Sequence, residues 1–364
     1  MRGFDTDMLS TGPNLAGQWL ERLRDTDKPV IIFTAGSLGQ KYYRIFAEYG
    51  IEISCFADNS EAKAGRSLHV DGKTVDIVSF QDVLDRYPDA YVVIASCIYC
   101  AEIIEQFLAA EYNKDNLIAI EFRICEHENI REHVASHLEQ YREAYALLKD
   151  ERSKSVFVSR LNFLITCDDK YIDQMRDDQS MYFDPTIVSL SDRETVVDGG
   201  GYTGDTFLEF IKAAKTFERY YLCEPDPVNM RSARDALFSY KGIEFVDAGL
   251  WSGRNTLTFS AVGLGHSQIS SEGTVEIDCI SIDELTDGNP VTFIKMDIEG
   301  AEMEALKGAK ETIQRYKPKL AICVYHKPDD LFEIPILIKE LNPEYRLYLR
   351  HYSVGGGDTV CYAV

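Results

Sequence analysis

The sequence predicts an α/β protein made of two Rossmann-like domains, a smaller N-terminal one and a larger C-terminal one. Short apolar runs typical of buried strands alternate with segments of helical spacing, a pattern that favours mostly parallel sheets with helices on both faces. A strand–glycine–helix junction also occurs twice. The first is Gly36-Ser-Leu-Gly39, and the second, more complete, is ETVVDGGGYTGDT at residues 194–206.

Length and composition set the class of protein. The 364 residues exceed one typical domain, and 45% hydrophobic residues suffice for a sizeable core. Lys+Arg 38 against Asp+Glu 60 gives a formal net charge of −22, which disfavours nucleic-acid partners and anionic membrane surfaces. We expect no membrane insertion, and the nine scattered cysteines favour a reducing, cytoplasmic location. A homo-oligomer is compatible with these observations.

Residues 1–125 are predicted to form the Rossmann-like N-terminal domain, and residues 126–182 a charged helical connector. The glycine turn of the N-terminal domain keeps only Gly36 and Gly39 of the dinucleotide fingerprint, so we expect this domain to serve acceptor docking or assembly rather than cofactor binding. The predicted elements are a helix at 15–24, a strand at 30–33, a helix at 42–49, a strand at 51–56, a helix at 80–86, a strand at 91–95 and a helix at 101–110.

Residues 183–364 are predicted to form the second domain, a doubly wound sheet with one reversed strand. Parallel strand–helix units are followed by an antiparallel hairpin around the glycine-rich stretch 355–358. The predicted strands are 195–197, 220–223, 243–246, 292–296, 320–325, 345–352 and 359–364, with helices at 228–238 and 301–314 and strand-like alternation over 255–282.

The second glycine turn indicates a nucleotide-like ligand. Gly199-x-Gly201-x-x-Gly204 fits the dinucleotide fingerprint, and Glu224 follows about 20 residues on. A carboxylate at Asp198, directly before the first glycine, suits a cofactor with a cationic amino-acid end better than an anionic pyrophosphate. The turn therefore favours S-adenosylmethionine, and a nicotinamide cofactor remains the alternative.

Polar side chains end several of the predicted strands. In open α/β sheets the ligand binds at the carboxyl ends of the strands, so these groups should share one rim. Glu224 could accept both ribose hydroxyls, and Asp247 could accept from the adenine amino group. For any single acid, the alternative is a helix cap favoured by the helix dipole. The strand-end residues are Asp198, Glu224, Asp247, Asp297 and His326.

The segments VVDGGGYTGDT, YLCEPDP, VDAGLWS, CISIDEL and IKMDIEGAEMEALKGA resemble, in this order, the FkbM family of S-adenosylmethionine-dependent methyltransferases. The resemblance covers about residues 180–362. It implies a seven-stranded methyltransferase sheet, S-adenosyl-L-methionine as cofactor, and methyl transfer to an oxygen of a small, sugar-containing or polyketide acceptor. Residues 28–120 are more similar to the small Rossmann-type domain attached to sugar-modifying enzymes. The predicted cofactor-binding residues are Asp198, Gly199, Gly200, Gly201, Tyr202, Gly204, Glu224, Pro225, Asp247 and Ala248.

Asp297, Glu299 and His326 are the predicted catalytic residues. Methyl transfer from a sulfonium needs in-line positioning and, for a hydroxyl acceptor, a general base. His326, with an ordinary near-neutral pKa, is the expected base. The alternative that these three side chains hold a metal lacks a spacing motif, so no metal site is predicted. His266 and His351 are further candidates for the acceptor side.

Two other functions remain open from the sequence. One is a nicotinamide-dependent sugar oxidoreductase that uses the N-terminal domain, which its incomplete glycine turn disfavours. The other is a catalytically silent scaffold that binds an adenosyl ligand or none.

Overall fold

The computed structural model describes residues 3–96, 99–122, 129–259 and 275–364. The chain forms two compact units. The N-terminal unit comprises residues 9–133 and 161–173, and the C-terminal unit comprises residues 1–8, 134–160 and 174–364. Both units take residues from the helical segment 126–182, and the domain boundaries given above stay a prediction.

The N-terminal unit contains a six-stranded sheet in the order β3-β4-β2-β1-β5-β6. All neighbouring strands are parallel except β3 and β4, which form an antiparallel hairpin. The central strands β1 and β5 are buried throughout, as parallel strands between two helical layers should be. The strands are β1 Val30–Phe33, β2 Cys55–Ala57, β3 Arg66–Val70, β4 Lys73–Val78, β5 Tyr91–Ile94 and β6 Leu117–Ile118. The helices are α1 Leu15–Arg24, α2 Ser37–Glu48, α3 Phe80–Arg86 and α4 Cys100–Ala109.

Several details of this unit differ from the prediction. The strand predicted at 51–56 is limited to Cys55–Ala57, and the short strand β6 was not predicted. The β3–β4 hairpin was not predicted, because most of its side chains are exposed and it contains no apolar run. Helix α2 begins at Ser37, so Gly39 lies in its first turn rather than in a loop. A Cβ at Gly39 would overlap the backbone oxygen of Thr34, and glycine therefore permits the close approach of helix and strand.

The segment between the two sheets is helical, as its composition predicts. Helix α6 buries Tyr141, Ala144 and Tyr145 along one side. This spacing of three and four residues is that of an amphipathic helix. The helices are α5 Ile130–Ser136, α6 Leu138–Leu147, α7 Glu151–Thr166 and α8 Lys170–Met175.

The C-terminal unit contains a seven-stranded sheet in the order β15-β16-β14-β13-β7-β8-β9. Strand β16 is antiparallel to both of its neighbours, which confirms the predicted reversed strand. The strands are β7 Thr195–Gly199, β8 Arg219–Cys223, β9 Ile243–Val246, β10 Gly249–Leu250, β11 Asn255–Phe259, β12 Val275–Ile280, β13 Phe293–Met296, β14 Lys319–Cys323, β15 Leu347–His351 and β16 Thr359–Ala363. The helices are α9 Asp205–Ala214, α10 Pro227–Ala236, α11 Ile282–Thr286, α12 Glu302–Lys307, α13 Lys310–Tyr316 and α14 Asp330–Leu341.

Strands β10, β12 and β11 form a separate three-stranded sheet in that order. The single helix predicted at 301–314 is instead two short helices, α12 and α13, which meet at Gly308 and Ala309. A Cβ at Gly308 would overlap the backbone oxygen of Trp251, so the close approach of that segment accounts for the glycine at this break.

The core of the C-terminal unit fixes the strands that carry the candidate site. β7 and β13 are fully buried, and aromatic rings from α9 and β8 pack on one side of them. The ring of Phe207 on α9 lies 4.9 Å from that of Tyr220 on β8, in an edge-to-face arrangement. Within the described part of the chain, no helix is long and apolar enough to cross a membrane.

Candidate functional site

The candidate site lies where the strand order of the seven-stranded sheet changes direction. β7 is flanked by β8 on one side and β13 on the other, and β14 follows β13. All four strands are parallel, so the residues after them share one rim, the usual position of a ligand in such sheets. The turn after β7 carries the glycines, while Glu224, Asp297 and His326 follow the other three strands.

The glycines of the turn are required by close packing and by backbone conformation. Gly200 and Gly204 have positive φ angles of 75° and 88°. A Cβ at Gly200 would overlap the backbone oxygen of Asp297, and one at Gly201 would overlap the side chain of Leu222. The turn therefore lies directly against the ends of β13 and β8, with its backbone open to a ligand.

Glu224 connects the glycine turn to the segment after β8. Its Oε2 accepts a hydrogen bond of 2.9 Å from the amide of Tyr202, and its Oε1 accepts one of 2.9 Å from the amide of Asp226. The side chain is buried, and this burial raises its pKa above the usual value. The Asn229 side chain also hydrogen-bonds to this carboxylate. A carboxylate has four lone pairs, so it can accept a further hydrogen bond beside these three. Ribose binding by Glu224 stays a prediction.

Asp198 and Lys295 form a fully buried ion pair beneath the glycine turn. Lys295 Nζ lies 3.0 Å from Asp198 Oδ1 and donates to the backbone oxygens of Gly199 at 3.0 Å and Gly200 at 2.7 Å. Tyr220 donates to the other carboxylate oxygen at 2.7 Å. Burial alone lowers the pKa of Lys295, but Asp198 and Asp297 raise it above its ordinary value. Lys295 thus pairs with an acid, and contact of Asp198 with a cofactor stays a prediction.

The remaining predicted cofactor residues lie on the same rim. Asp247 is exposed, and its Oδ2 lies 2.6 Å from Arg234 Nη2. Ala248 donates its amide to the backbone oxygen of Val246 at 2.8 Å. Pro225 precedes Asp226, whose side chain caps α10. Nothing in this geometry tests an adenine contact, which stays a prediction for Asp247 and Ala248.

The three predicted catalytic side chains meet, and a fourth joins them. We call Asp297, Glu299, Glu302 and His326 the histidine cluster. His326 Nε2 lies 3.4 Å from Asp297 Oδ1 and 3.7 Å from Glu299 Oε2. Its Nδ1 lies 3.1 Å from Oε1 of Glu302, at the start of α12. The left-handed conformations of Glu299 and Gly300 bend the chain between β13 and α12, which brings Glu302 back toward the strand end.

Two tyrosine hydroxyls hold Asp297 in place. Tyr182 donates to Oδ2 at 2.8 Å and Tyr325 donates to Oδ1 at 2.9 Å. Burial raises the pKa of Asp297, but His326, Lys295 and the two hydroxyls outweigh it and hold the pKa below its usual value. Neither tyrosine was identified from the sequence. Tyr182 is 115 positions from Asp297, and only the folded chain brings the two together.

The protonation of His326 differs from the sequence-based expectation. Burial lowers its pKa, but the surrounding carboxylates, chiefly Glu302 and then Asp297 and Glu299, raise it to about 9. Among these groups the imidazole carries a proton at neutral pH. The assumption of a near-neutral pKa was wrong, because it left out Glu302.

The other two histidines named as acceptor-side candidates do not join this cluster in the described structure. His351 is buried on the edge strand β15, where its Nδ1 lies 2.9 Å from Thr359 Oγ1. Burial lowers its pKa to about 3, which is the behaviour of a neutral core histidine. His266 lies outside the described residues.

A cavity of about 340 Å³ opens between the segment before β7 and the start of α9. Tyr182, which donates to Asp297, is part of its wall. Three carboxylates also face it, so its wall is negatively charged. The lining residues are Asp178, Gln179, Ser180, Met181, Tyr182, Asp205, Thr206 and Glu209.

Comparison with known proteins finds similarity in the C-terminal segment. Residues 198–353 match the family model of the methyltransferase FkbM domain. No match is found among curated proteins. A crystal structure of methyltransferase FkbM from Methylobacillus flagellatus KT has the same fold, with a TM-score of 0.72 at 22% identity over 99% of this chain and 95% of that chain.

Two further solved structures are similar to about half of this chain. Aeropyrum pernix fibrillarin, crystallised with natively bound S-adenosyl-L-methionine, has a TM-score of 0.33 at 12% identity, over 49% of this chain and 70% of that chain. Precorrin-6y C5,15-methyltransferase from Geobacter metallireducens GS-15 has a TM-score of 0.33 at 12% identity, over 48% of this chain and 81% of that chain.

Proposed function

We propose that this chain, whose residues 198–353 match the FkbM methyltransferase domain, transfers a methyl group from S-adenosylmethionine to a hydroxyl oxygen of a sugar-containing or other small-molecule acceptor. One observation carries the proposal. The glycine turn and the Glu224 carboxylate follow neighbouring strands, and the next two strands end in Asp297 and His326. A nucleoside-binding half and an acid–base half thus adjoin on one rim.

The first half of this rim suits the cofactor. Each oxygen of Glu224 accepts a hydrogen bond from one backbone amide, and the ribose hydroxyls would compete with the Asn229 side chain for the remaining lone pairs. Tyr202 and Pro225 flank that carboxylate, and Asp247 and Ala248 follow the next strand, where adenine would lie. The glycines admit the ligand close to the backbone, and the Asp198–Lys295 pair holds the turn from below.

The second half suits a hydroxyl acceptor. The methyl carbon leaves the sulfonium sulfur as the acceptor oxygen bonds to it, and the hydroxyl proton must pass to a base. We assign that role to Asp297, because two tyrosine hydroxyls fix its carboxylate and its side chain is 22% exposed. His326 is 7% exposed and positions Asp297 from 3.4 Å, with Glu299 beside it. S-Adenosylhomocysteine leaves as a neutral thioether.

For the N-terminal unit we propose acceptor docking or assembly rather than cofactor binding. Asp58 directly follows its β2, where a dinucleotide-binding domain would place its ribose-binding acid. Here the carboxylate accepts the amides of Ala35 at 3.0 Å and Ser60 at 2.9 Å and pairs with Lys63 at 3.0 Å. These contacts support a structural role for Asp58 rather than a nicotinamide site.

Calorimetric titration of the full chain with S-adenosylhomocysteine and with NAD tests the proposal. We expect one S-adenosylhomocysteine to bind and NAD not to bind. Glu224→Ala should weaken that binding by about 2–3 kcal/mol, because two charge-assisted hydrogen bonds to the ribose are lost. The matched control is Glu244→Ala, an exposed acid on β9, which should change the affinity by less than about twofold.

Two results would contradict the proposal. Binding of NAD without S-adenosylhomocysteine would replace the methyltransferase by an oxidoreductase. Wild-type affinity in a folded Glu224→Ala variant would remove Glu224 from the cofactor site.

A further inference from the structure

We propose that Asp297, Glu302 and His326 form a binding site for one divalent cation of the first transition series. The three side chains come from the end of β13, the first turn of α12 and the end of β14. One potential ligand atom from each lies within 4.8 Å of those of the other two. No such site was predicted from the sequence, and the metal alternative considered there used Glu299 in place of Glu302.

The potential ligand atoms are close enough to converge on one metal ion. His326 Nδ1 lies 3.1 Å from Oε1 of Glu302, and its other nitrogen, Nε2, lies 3.4 Å from Oδ1 of Asp297. Two ligands at right angles around a cation, each bound at about 2.1 Å, lie about 3.0 Å apart. A cation would bind only one of the two nitrogens, in place of its proton, and the carboxylate on the other side of the ring would have to move toward that nitrogen from within 4.8 Å.

Buried atoms without hydrogen-bond partners give independent support. Glu302 is 0% exposed and His326 is 7% exposed. Within the described ranges, both ring nitrogens of His326 and Oε2 of Glu302 have no hydrogen-bond partner of acceptable geometry. The 3.1 Å contact of Nδ1 with Glu302 is thus close but not aligned as a hydrogen bond. Buried polar atoms are rarely left unsatisfied, because each lost hydrogen bond costs free energy.

The charge of the cluster selects a cation. Asp297, Glu299 and Glu302 place three carboxylates around one imidazole, which excludes an anionic ligand. Lys295 is the nearest buried ammonium, and it is engaged with Asp198 and two backbone oxygens. A bound cation would give one ring nitrogen of His326 and Oε2 of Glu302 a partner and reduce the repulsion between the carboxylates.

The ligand set narrows the choice of metal. Two carboxylate oxygens and one imidazole nitrogen suit Mn²⁺ or Zn²⁺, whereas an all-oxygen set would suit Mg²⁺ or Ca²⁺. Glu299, whose carboxylate is 3.7 Å from the ring and 26% exposed, lies outside the set of three mutually close atoms. We assign Glu299 to the surrounding charge rather than to the ligands.

Mn²⁺ binding to the chelator-treated full chain, measured by loss of the free-ion electron paramagnetic resonance signal, tests the site without any methyl donor. We expect one Mn²⁺ per chain, displaced by stoichiometric Zn²⁺. Glu302→Gln, which keeps the shape of the side chain, should weaken Mn²⁺ binding by at least about 100-fold, as expected when a ligand is lost. His326→Asn should do the same, and circular dichroism would confirm that both variants fold.

Glu299→Gln is the matched control, because it removes the same charge from a carboxylate that lies 3.7 Å from the His326 ring but is not assigned as a ligand. It should weaken Mn²⁺ binding by less than about tenfold. Equal losses in Glu299→Gln and Glu302→Gln would mean that general negative charge attracts the ion, and wild-type binding by Glu302→Gln would place it elsewhere. Either result overturns the site. Because no S-adenosylmethionine is present, these outcomes are independent of the proposed methyl transfer.

Discussion

Replacing Lys295 by methionine should destabilise the C-terminal unit strongly. The substitution keeps the length of the side chain and removes the counter-charge of the Asp198 carboxylate, which is 0% exposed and still accepts a hydrogen bond from the hydroxyl of Tyr220. A buried carboxylate without a counter-charge must either stay ionised at high cost or take up a proton.

The magnitude follows from the geometry of the pair. Two unit charges 3.0 Å apart, as Nζ and Oδ1 are here, attract by about 5–6 kcal/mol at an effective dielectric constant of about 20. Breaking a buried pair by removing one partner typically costs about 3–5 kcal/mol. We therefore expect Lys295→Met to lower the free energy of unfolding by about 3–5 kcal/mol.

The double variant Asp198→Asn/Lys295→Met separates charge from packing. Both the single and the double variant lose the hydrogen bonds from Lys295 to Gly199 and Gly200. The difference between their free energies of unfolding therefore measures the cost of a buried carboxylate without its counter-charge. We expect the double variant to recover at least about 2 kcal/mol of the loss.

Urea unfolding followed by tryptophan fluorescence measures these effects. The chain has two tryptophans, Trp19 in the N-terminal unit and Trp251 in the C-terminal unit. In a Trp19→Phe background, Trp251 alone reports on the unit that holds the ion pair. A loss below about 1 kcal/mol in Lys295→Met, or a double variant no more stable than the single one, would refute the argument.

Two further predictions concern the glycine turn and the buried histidine. Gly200→Ala should lower the free energy of unfolding by at least about 2 kcal/mol, because φ is +75° and the new Cβ would overlap the backbone of Asp297. The control Gly253→Ala, whose Cβ would meet nothing within 4 Å, should leave the urea midpoint unchanged. Equal midpoints for the two variants would contradict the predicted overlap. His351 has a folded pKa of about 3 against about 6.5 unfolded, so the unfolded state binds the extra proton and stability should fall as the pH drops from 6.5 toward 3, by up to about 5 kcal/mol. Urea midpoints across that range should be less pH-dependent in His351→Asn, and an unchanged slope would count against the assignment.

Buried parallel strands were the part of the fold that the sequence predicted well. Val30–Phe33 matches the predicted bounds and Tyr91–Ile94 differs from them by one residue, because short β-branched or aromatic runs between polar turns have few other interpretations. Helix α14 was not predicted, since Pro335 lies inside it and proline normally ends a helix. In the structure its apolar side chains are buried around that proline, which is the tertiary context that a local pattern cannot contain.

The candidate site also contains residues that the sequence predicted and residues that it did not. Asp297, Glu299 and His326 could be brought together from the sequence, because each follows a strand whose neighbours the parallel order predicts. Glu302 escaped notice because its position depends on the left-handed turn at Glu299 and Gly300, and one left-handed residue there is not a glycine. Tyr182 has no local signal at all, since it approaches Asp297 from the segment before β7.

The placement of β16 has a consequence for how the C-terminal unit assembles during synthesis. Residues 359–363 lie between β14 and β15, both of which precede them in the sequence. Until that stretch leaves the ribosome, β15 has no partner strand within the seven-stranded sheet, and the outer side of β14 remains an open edge. Closure of the sheet is therefore a late event along the chain, and a nascent protein halted before residue 359 exposes a strand edge on which chaperones or other copies could act.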